Sequence, residues 1–427
     1  MKKTNTNTNS SQLRLPNEIV DDILLCLPAK SLKRFKLVSK PWNSLISDPN
    51  FAESHLNRSL RPNTDNCNLL RVGKLHVKSL KLTPSNNLHP LSFYSMDSDG
   101  SNREVVLIPD FDYDDKDFMY NCEAARILGS CNGLLLLSYE TYNYPNCNLL
   151  LWNPSTGKCK RIPGVNIPDR TETCVISGLV YVSSSRNYKA IVVYHQVSGY
   201  ASPNHGYATY EALDCNIYDY NLNSWTTKDY DHDAFPYRLH SDSSAIMVNG
   251  VPHWGVYVYR RRGHRSKPLV MSYLIVYFNS ETEKFKEVEL PEWKAEEATF
   301  NIGVLGGCLC MCLDPQKGSR NIEVWTMKEY GIAESWTKSF VISSPSFQRL
   351  TPLCLMGKNQ VLMKVEMKKL EEQLVIYNLK EKTRRILLVD RIHKSLMCRV
   401  CTYVGSLVFP EEAPEGTSHR TKRKRKG

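Results

Sequence analysis

At 427 residues, with 41% hydrophobic and 23% charged, the chain has the composition of an ordinary globular protein long enough for two or more domains. No run of about 18 apolar residues appears, and MKKTNTNTNSSQ has lysines with no apolar stretch behind them, so neither a membrane span nor a secretory signal is expected. The net charge of +11 is concentrated in residues 419–427, HRTKRKRKG, which hold six Lys or Arg and no acid; the body is only mildly basic, and nucleic acid is not an expected partner.

Residues 1–12 are Asn, Thr and Ser with little to bury and are expected to be disordered. From Leu13 the pattern changes. In LPNEIVDDILLCLP, the residues Ile19, Val20, Ile23, Leu24 and Leu27 recur at helical spacing, with Asn17, Glu18, Asp21 and Asp22 between them. Pro16 suits the first turn, the acids suit the positive end of the helix dipole, and Pro28 ends the helix. A second short helix is predicted in SLKRFKLV with Leu32, Phe35 and Val38 inward. A third starts at Ser39 with Trp42, Leu45 and Ile46 on one side, and Asp48-Pro49 stops it. Three helices of this size cannot cover so many large apolar side chains, so part of that surface must meet the rest of the chain or a partner.

After about residue 128 the period changes, and short β-rich segments alternate with Gly, Asn, Pro and Ser turns. A turn leading into a strand recurs in GSCNGLLLLSY, MVNGVPHWGVY, VLGGCLCMCLD and LMGKNQVLMKV. A strand, polar turn and strand recur around Trp152, Tyr218, Tyr277, Trp325 and Tyr377, spaced 66, 59, 48 and 52 residues apart. That interval holds about four short strands, the size of one propeller blade in the kelch range. Five units fall in 129–389. LHVKSLKL (75–82) and PLSFYSM (90–96) begin a further one, completed by CTYVGSLVFP (401–410) from the C-terminus. The expected fold is α+β and multidomain: a small three-helix unit, then an all-β, kelch-like propeller of about six blades. The expected boundaries are 1–12 disordered, 13–58 helical, 59–128 linker and first strands, 129–410 propeller and 411–427 basic tail.

LPNEIVDDILLCLPAKSLKRFKLVSKPWNSLISDPNFAESHL resembles an F-box: Leu-Pro, an acidic amphipathic helix, a second Leu-Pro, Lys-Ser-Leu-x-Arg, Val-Ser-Lys-x-Trp and Leu-Ile-x-Asp-Pro-x-Phe are all present. GSCNGLLLLS, LLWNPSTGKCKRIP, VNGVPHW, IGVLGGCLCMC and IEVWTMKEYGIAESWTKSF resemble the F-box-associated, kelch-like domain of plant F-box proteins. The resemblance spans about residues 13–410. It departs at ISGLVYVSSSRNYKAIVVY, leaving that blade's register open.

The resemblance implies a noncatalytic substrate receptor; without a membrane span or secretory signal, nucleus and cytoplasm are its expected location. Its F-box binds a Skp-type adaptor and through it a cullin ubiquitin ligase, while the propeller selects the target. Carried over by position, Leu15, Pro16, Ile19, Ile23, Leu27 and Pro28 form one side of the adaptor contact. Leu32, Val38, Ser39, Trp42 and Leu45 form the other side and the helix junction. Family members resemble both pollen self-incompatibility factors and regulators of immune-receptor levels; LPAKSLKRFKLVSKPW, DPNFAESHL and the basic tail lean toward the second group, and so toward an immune receptor as target.

No catalytic constellation emerges, and neither cofactor nor metal is expected. The fourteen cysteines read as reduced and mostly buried. Cys308, Cys310 and Cys312 share one side of a strand and read as core, and Cys398 and Cys401 form a single CxxC with no second pair. The acidic run DFDYDDKDF lacks the sixth-position Gly and terminal Glu of a calcium loop. His253 reads as a packed core histidine rather than a base. RRRGHRSK between strands, with Tyr257 and Tyr259 beside Arg260, Arg261 and Arg262, is either a solvated loop or a contact for an acidic target segment. Lys422, Arg423, Lys424, Arg425 and Lys426 are a passive tail or a nuclear-import signal. Two rivals remain: a nuclear scaffold or RNA-binding propeller using the basic tail, and a propeller enzyme with metal ligands or carboxylates converging on the ring axis.

Overall fold

The structure is a computed structural model that describes residues 15–60, 67–74, 91–97, 103–106, 122–141, 144–164, 174–197, 210–230, 236–239, 245–261, 269–291, 300–313, 321–343, 347–357, 359–367, 371–391 and 400–410. Four helices come first: α1 Asn17–Leu25, α2 Ala29–Phe35, α3 Lys40–Ser47 and α4 Pro49–Ser59. The expectation of three helices is corrected here. Asp48-Pro49 ends α3 but also starts α4, because the Asp48 carboxylate accepts from Asn50 N–H at 2.7 Å and Pro49 occupies a first-turn position where no N–H is needed. Ser39 caps α3 in the same way, its Oγ accepting from Trp42 N–H at 3.3 Å. The helical unit therefore runs past the expected boundary at 58, through Ser59.

Leu24, Ala29, Leu32, Ile46, Phe51 and Ala52 form the helical core, with Val20, Leu25, Leu27, Phe35, Trp42 and Leu45 packed at its edge. His55 of α4 ties the layers together, its Nε2 lying 2.8 Å from the carbonyl of Leu27. Val38 was expected inward by i, i+3 spacing from Phe35. It is exposed instead, because α2 ends at Phe35 and residues 36–38 turn outward before the Ser39 cap.

The described strands form six antiparallel sheets, five of four strands and one of five. In chain order the second sheet comprises Cys122–Cys131, Leu134–Thr141, Tyr144–Trp152 and Cys159–Ile162; the third, Cys174–Val182, Asn187–Val197, Tyr210–Asp219 and Ser224–Tyr230. The fourth contains Arg238–Leu239, Ile246–Val248, Val251–Arg261, Leu269–Asn279 and Lys284–Val288. The fifth comprises Phe300–Leu305, Cys308–Leu313, Asn321–Met327 and Trp336–Ser343; the sixth, Phe347–Met356, Gln360–Met367, Glu371–Asn378 and Thr383–Arg391. The second sheet starts at Cys122, so the expected propeller boundary at 129 falls inside its first strand.

Ring closure joins the two ends of the chain. Val400–Val404 runs antiparallel to Cys67–Lys74, with Leu69 opposite Thr402, and Leu91–Asp97 and Arg103–Val106 complete this first sheet. The C-terminal partner is as expected, but its neighbour is 67–74; residues 75–82 lie outside the described residues. Closing the ring hides the sheet edges at the seam. The fourth sheet differs from the others because its innermost strand is split: Arg238–Leu239 and Ile246–Val248 both pair along one edge of Val251–Arg261.

The recurrent Asn-Gly signature has a backbone cause. Asn132-Gly133 and Asn249-Gly250 all have positive φ, at 53°, 81°, 50° and 76°, the twist that joins adjacent strands through a two-residue hairpin. The aromatic anchors Trp152, Tyr218, Tyr277, Trp325 and Tyr377 occupy the third strand of five successive sheets. Between sheets, Trp254 Nε1 donates to the carbonyl of Ser177 at 2.8 Å, and a Cβ on Gly178 would stand 2.8 Å from the Trp254 ring. The register left open at 176–194 resolves as Cys174–Val182 against Asn187–Val197, turning through 183–186 with Arg186 at positive φ.

Candidate functional site

Helix α1 carries two apolar rows rather than one. Val20, Leu24 and Leu27 face the helical core. Ile19 and Ile23, four apart, face away and are 46% and 48% exposed, and Leu15, just before the helix, is 60% exposed. Beyond α2, Leu37 and Val38 are 89% and 62% exposed. A free helix surface of this kind is costly to leave in water, at about 25 cal/mol per Å² of apolar area. Scattered exposed leucines are ordinary; five large aliphatic side chains concentrated within residues 15–38 are not.

The expected contact residues divide in three. Leu15, Pro16, Ile19, Ile23, Pro28 and Val38 are exposed. Leu27, Ser39, Trp42 and Leu45 are half-buried, and the Trp42 ring packs at 5.6 Å from Phe35, so one indole face belongs to the core. Leu32 is fully buried and supports the core from within, so it is corrected from a contact residue to a core residue: α2 presents it inward beside Ala29. Leu37, among the most exposed of the group, was not singled out from sequence; its position in the four-residue link between α2 and α3 was the available signal.

Comparison with known proteins bears directly on these helices. The family profile described as the F-box domain matches residues 12–54, and the profile described as the F-box associated beta propeller domain matches residues 87–409. The chain is an F-box protein with an F-box-associated β-propeller. Among its Arabidopsis thaliana relatives, F-box protein CPR1 is 30% identical over 388 residues, covering 83% of this chain and 81% of that protein. F-box/kelch-repeat protein At3g23880 is 26% identical, with 76% and 78% covered, and F-box protein At3g07870 is 28% identical, with 77% and 73% covered.

On the propeller, the described part of the aromatic and arginine-rich segment lies at the end of the fourth sheet. Tyr257 and Tyr259 share one face of their strand, with ring centroids 5.7 Å apart, and Tyr259 is exposed. The guanidinium of Arg238 lies 5.4 Å from the Tyr259 ring centre, and exposed Met271 pairs with Tyr259 across the sheet. Arg260 and Arg261 complete the strand, whereas Arg262 lies outside the described residues. So do the acidic run 110–118, Cys398 and the tail residues Lys422, Arg423, Lys424, Arg425 and Lys426.

Chemical sites are sparse among the described residues, which contain no group of three or more His, Cys, Asp or Glu placed to hold a metal ion. Cys310 and Cys312 are buried in the core between the fifth and sixth sheets, while Cys308 is half-buried. His253 is completely buried: its Nδ1 lies 2.9 Å from the Val251 carbonyl and its Nε2 lies 2.7 Å from the Tyr330 hydroxyl. Burial pushes its pKa down to about 4 despite the backbone hydrogen bonds, so it is neutral at pH 7.

Proposed function

We propose that this F-box protein is a substrate receptor of an SCF-type cullin ubiquitin ligase, with no catalytic group of its own. The observation that carries this reading is that Leu15, Ile19, Ile23, Leu37 and Val38 are left exposed beside a helical core that buries Leu24, Leu32 and Ile46. Their aliphatic composition suits the buried centre of a protein interface, with half-buried Trp42 and Leu45 available to both sides. A Skp-type adaptor is the partner the F-box implies, and through it a cullin. The propeller then holds a target near a ubiquitin-charged enzyme, raising effective concentration without contributing to bond making.

For target capture we assign the patch Tyr257, Tyr259, Arg238 and Met271, with Arg260, Arg261 and Arg262 next to it in sequence, and an acidic segment as its ligand. Aromatic and arginine side chains are enriched where interfaces concentrate their binding energy, which supports this choice. An immune receptor is the target class to examine first, on the F-box segments that lean toward that group. Residues 422–426 are assigned to nuclear import. A fluorescent fusion lacking residues 419–427 is expected to shift from nucleus toward cytoplasm, and an unchanged distribution removes that assignment.

Co-purification tests the receptor reading. The wild-type chain expressed with a Skp-type adaptor is expected to form a stable complex, and the Leu15→Ala/Pro16→Ala double variant is expected to lose it. Failure of the wild type to bind, or equal binding by the variant, overturns the ligase assignment.

A further inference from the structure

Residues 405–410, which follow the closing strand, lie between two hydrophobic cores. Leu407 belongs to the helical cluster with Leu24, Leu32 and Ile46. Phe409 packs on the cluster between the second and third sheets, and Val408 touches both clusters. The backbone is held as firmly as the side chains. Asn153 Nδ2 donates to the carbonyls of Ser406 and Val408 at 3.0 and 2.7 Å, while its Oδ1 accepts from the N–H groups of Ser155 and Thr156 at 2.8 and 3.1 Å. Ser406 N–H donates to Ser155 Oγ at 3.3 Å, and Ser406 is completely buried. A Cβ on Gly133 would fall 2.3 Å from that of Ser406, so this hairpin turn and the segment fit only with glycine there.

The turn at 153–156 also reaches the helices. Lys33 Nζ of α2 donates to the Thr156 carbonyl at 2.8 Å. That bond sets Lys33 of α2 beside the turn whose next residues include Lys158, and burial followed by the charges of Lys158 and Lys33 lowers the pKa of Lys36. One turn of the second sheet thus grips the C-terminal segment on one side and the F-box on the other.

We propose that residues 405–410 and the turn at 153–156 form a clasp that fixes the orientation of the F-box on the propeller. Asn153 and Leu407 are its positioning residues. The orientation itself follows from the packing. Its use in ubiquitin transfer rests on the substrate-receptor reading: a fixed angle between adaptor and target keeps the target lysine within reach, and a loose one disperses it.

Native lysines provide the readout. A short amine-reactive crosslinker applied to the full-length chain in complex with its adaptor reports Lys33–Lys158 and Lys36–Lys158 links across the junction. A Lys189–Lys228 link within the propeller serves as the control, since both residues pair with Glu283. Asn153→Ala and, separately, Leu407→Ala are expected to reduce the junction links roughly threefold or more relative to the control, the scale set by losing buried hydrogen bonds or packing. Adaptor binding by both variants is expected to persist. Junction links that stay at wild-type yield in both variants overturn the proposal. Loss of the control link together with the junction links also overturns it, because the segment would then hold up the propeller rather than orient the F-box. A wild-type chain that binds no adaptor would sink the receptor reading, and the crosslinks measured on the chain alone would still decide the clasp.

Discussion

His253 shows how a reactive side chain becomes a structural one. Its ring nitrogens lie within hydrogen-bond distance of the Val251 carbonyl and the Tyr330 hydroxyl, and its ring packs edge-on against Tyr330 at 5.5 Å, so both nitrogens are engaged in packing contacts within the protein. Because the folded chain holds its pKa near 4, below the value of an unfolded histidine, protonation favours unfolding. This contribution is fully present above about pH 6.5, is lost as pH falls toward 4, and amounts to roughly 3 kcal/mol. His55, whose pKa burial also lowers, acts in the same direction. Thermal melts are expected to show Tm falling from pH 6.5 to 4, and His253→Gln is expected to flatten part of that slope; an identical slope would refute the assignment. At Gly178 the constraint is space, since any side chain meets the Trp254 ring. Gly178→Val is expected to destabilise the propeller by about 1–3 kcal/mol, measured by denaturant unfolding.

Helix α1 carries a buried and an exposed apolar row, which on the adaptor-docking proposal separates folding from docking. Leu24 and Ile23 are neighbours in sequence, yet one is buried in the core and the other is exposed. Leu24→Ala is expected to cost about 2–5 kcal/mol of stability, whereas Ile23→Asp is expected to leave the melting transition unchanged and remove adaptor binding. Equal effects of the two changes on stability would mean that the second row also supports the fold. Sequence periodicity identified the helix and its apolar residues but merged the two rows into one stripe, because a stripe wide enough for both has the same 3.6-residue period. It also placed Val38 inside, since spacing alone does not show where α2 ends, and it placed Leu32 inward, as the structure has it; the adaptor role for Leu32 came from the family resemblance instead. The Asn-Gly turns and third-strand aromatics were legible because their causes are local: positive φ at the turn, and one large ring in each of five successive sheets.

At the scale of the whole molecule, repeat spacing indicated a ring of about six units, and the six sheets follow from it. Which N-terminal strand meets Val400–Val404, and the placing of Leu407 in the helical core, were not legible, because both join residues more than 300 apart in sequence with no shared local pattern. The split innermost strand of the fourth sheet was missed for a related reason, since residues 238–239 are too short to show alternation. The binding energy of an F-box protein with this architecture should reside in the exposed row on α1 and the link after α2, remote in sequence from the propeller. Calorimetric titration of the purified chain with a Skp-type adaptor tests this most directly, comparing wild type with Ile19→Asp/Ile23→Asp. Saturable binding that weakens about 30-fold or more in the variant, equivalent to at least about 2 kcal/mol, with an unchanged melting transition, is the expected result. Equal affinity in the two proteins, or no binding by the wild type, would contradict it.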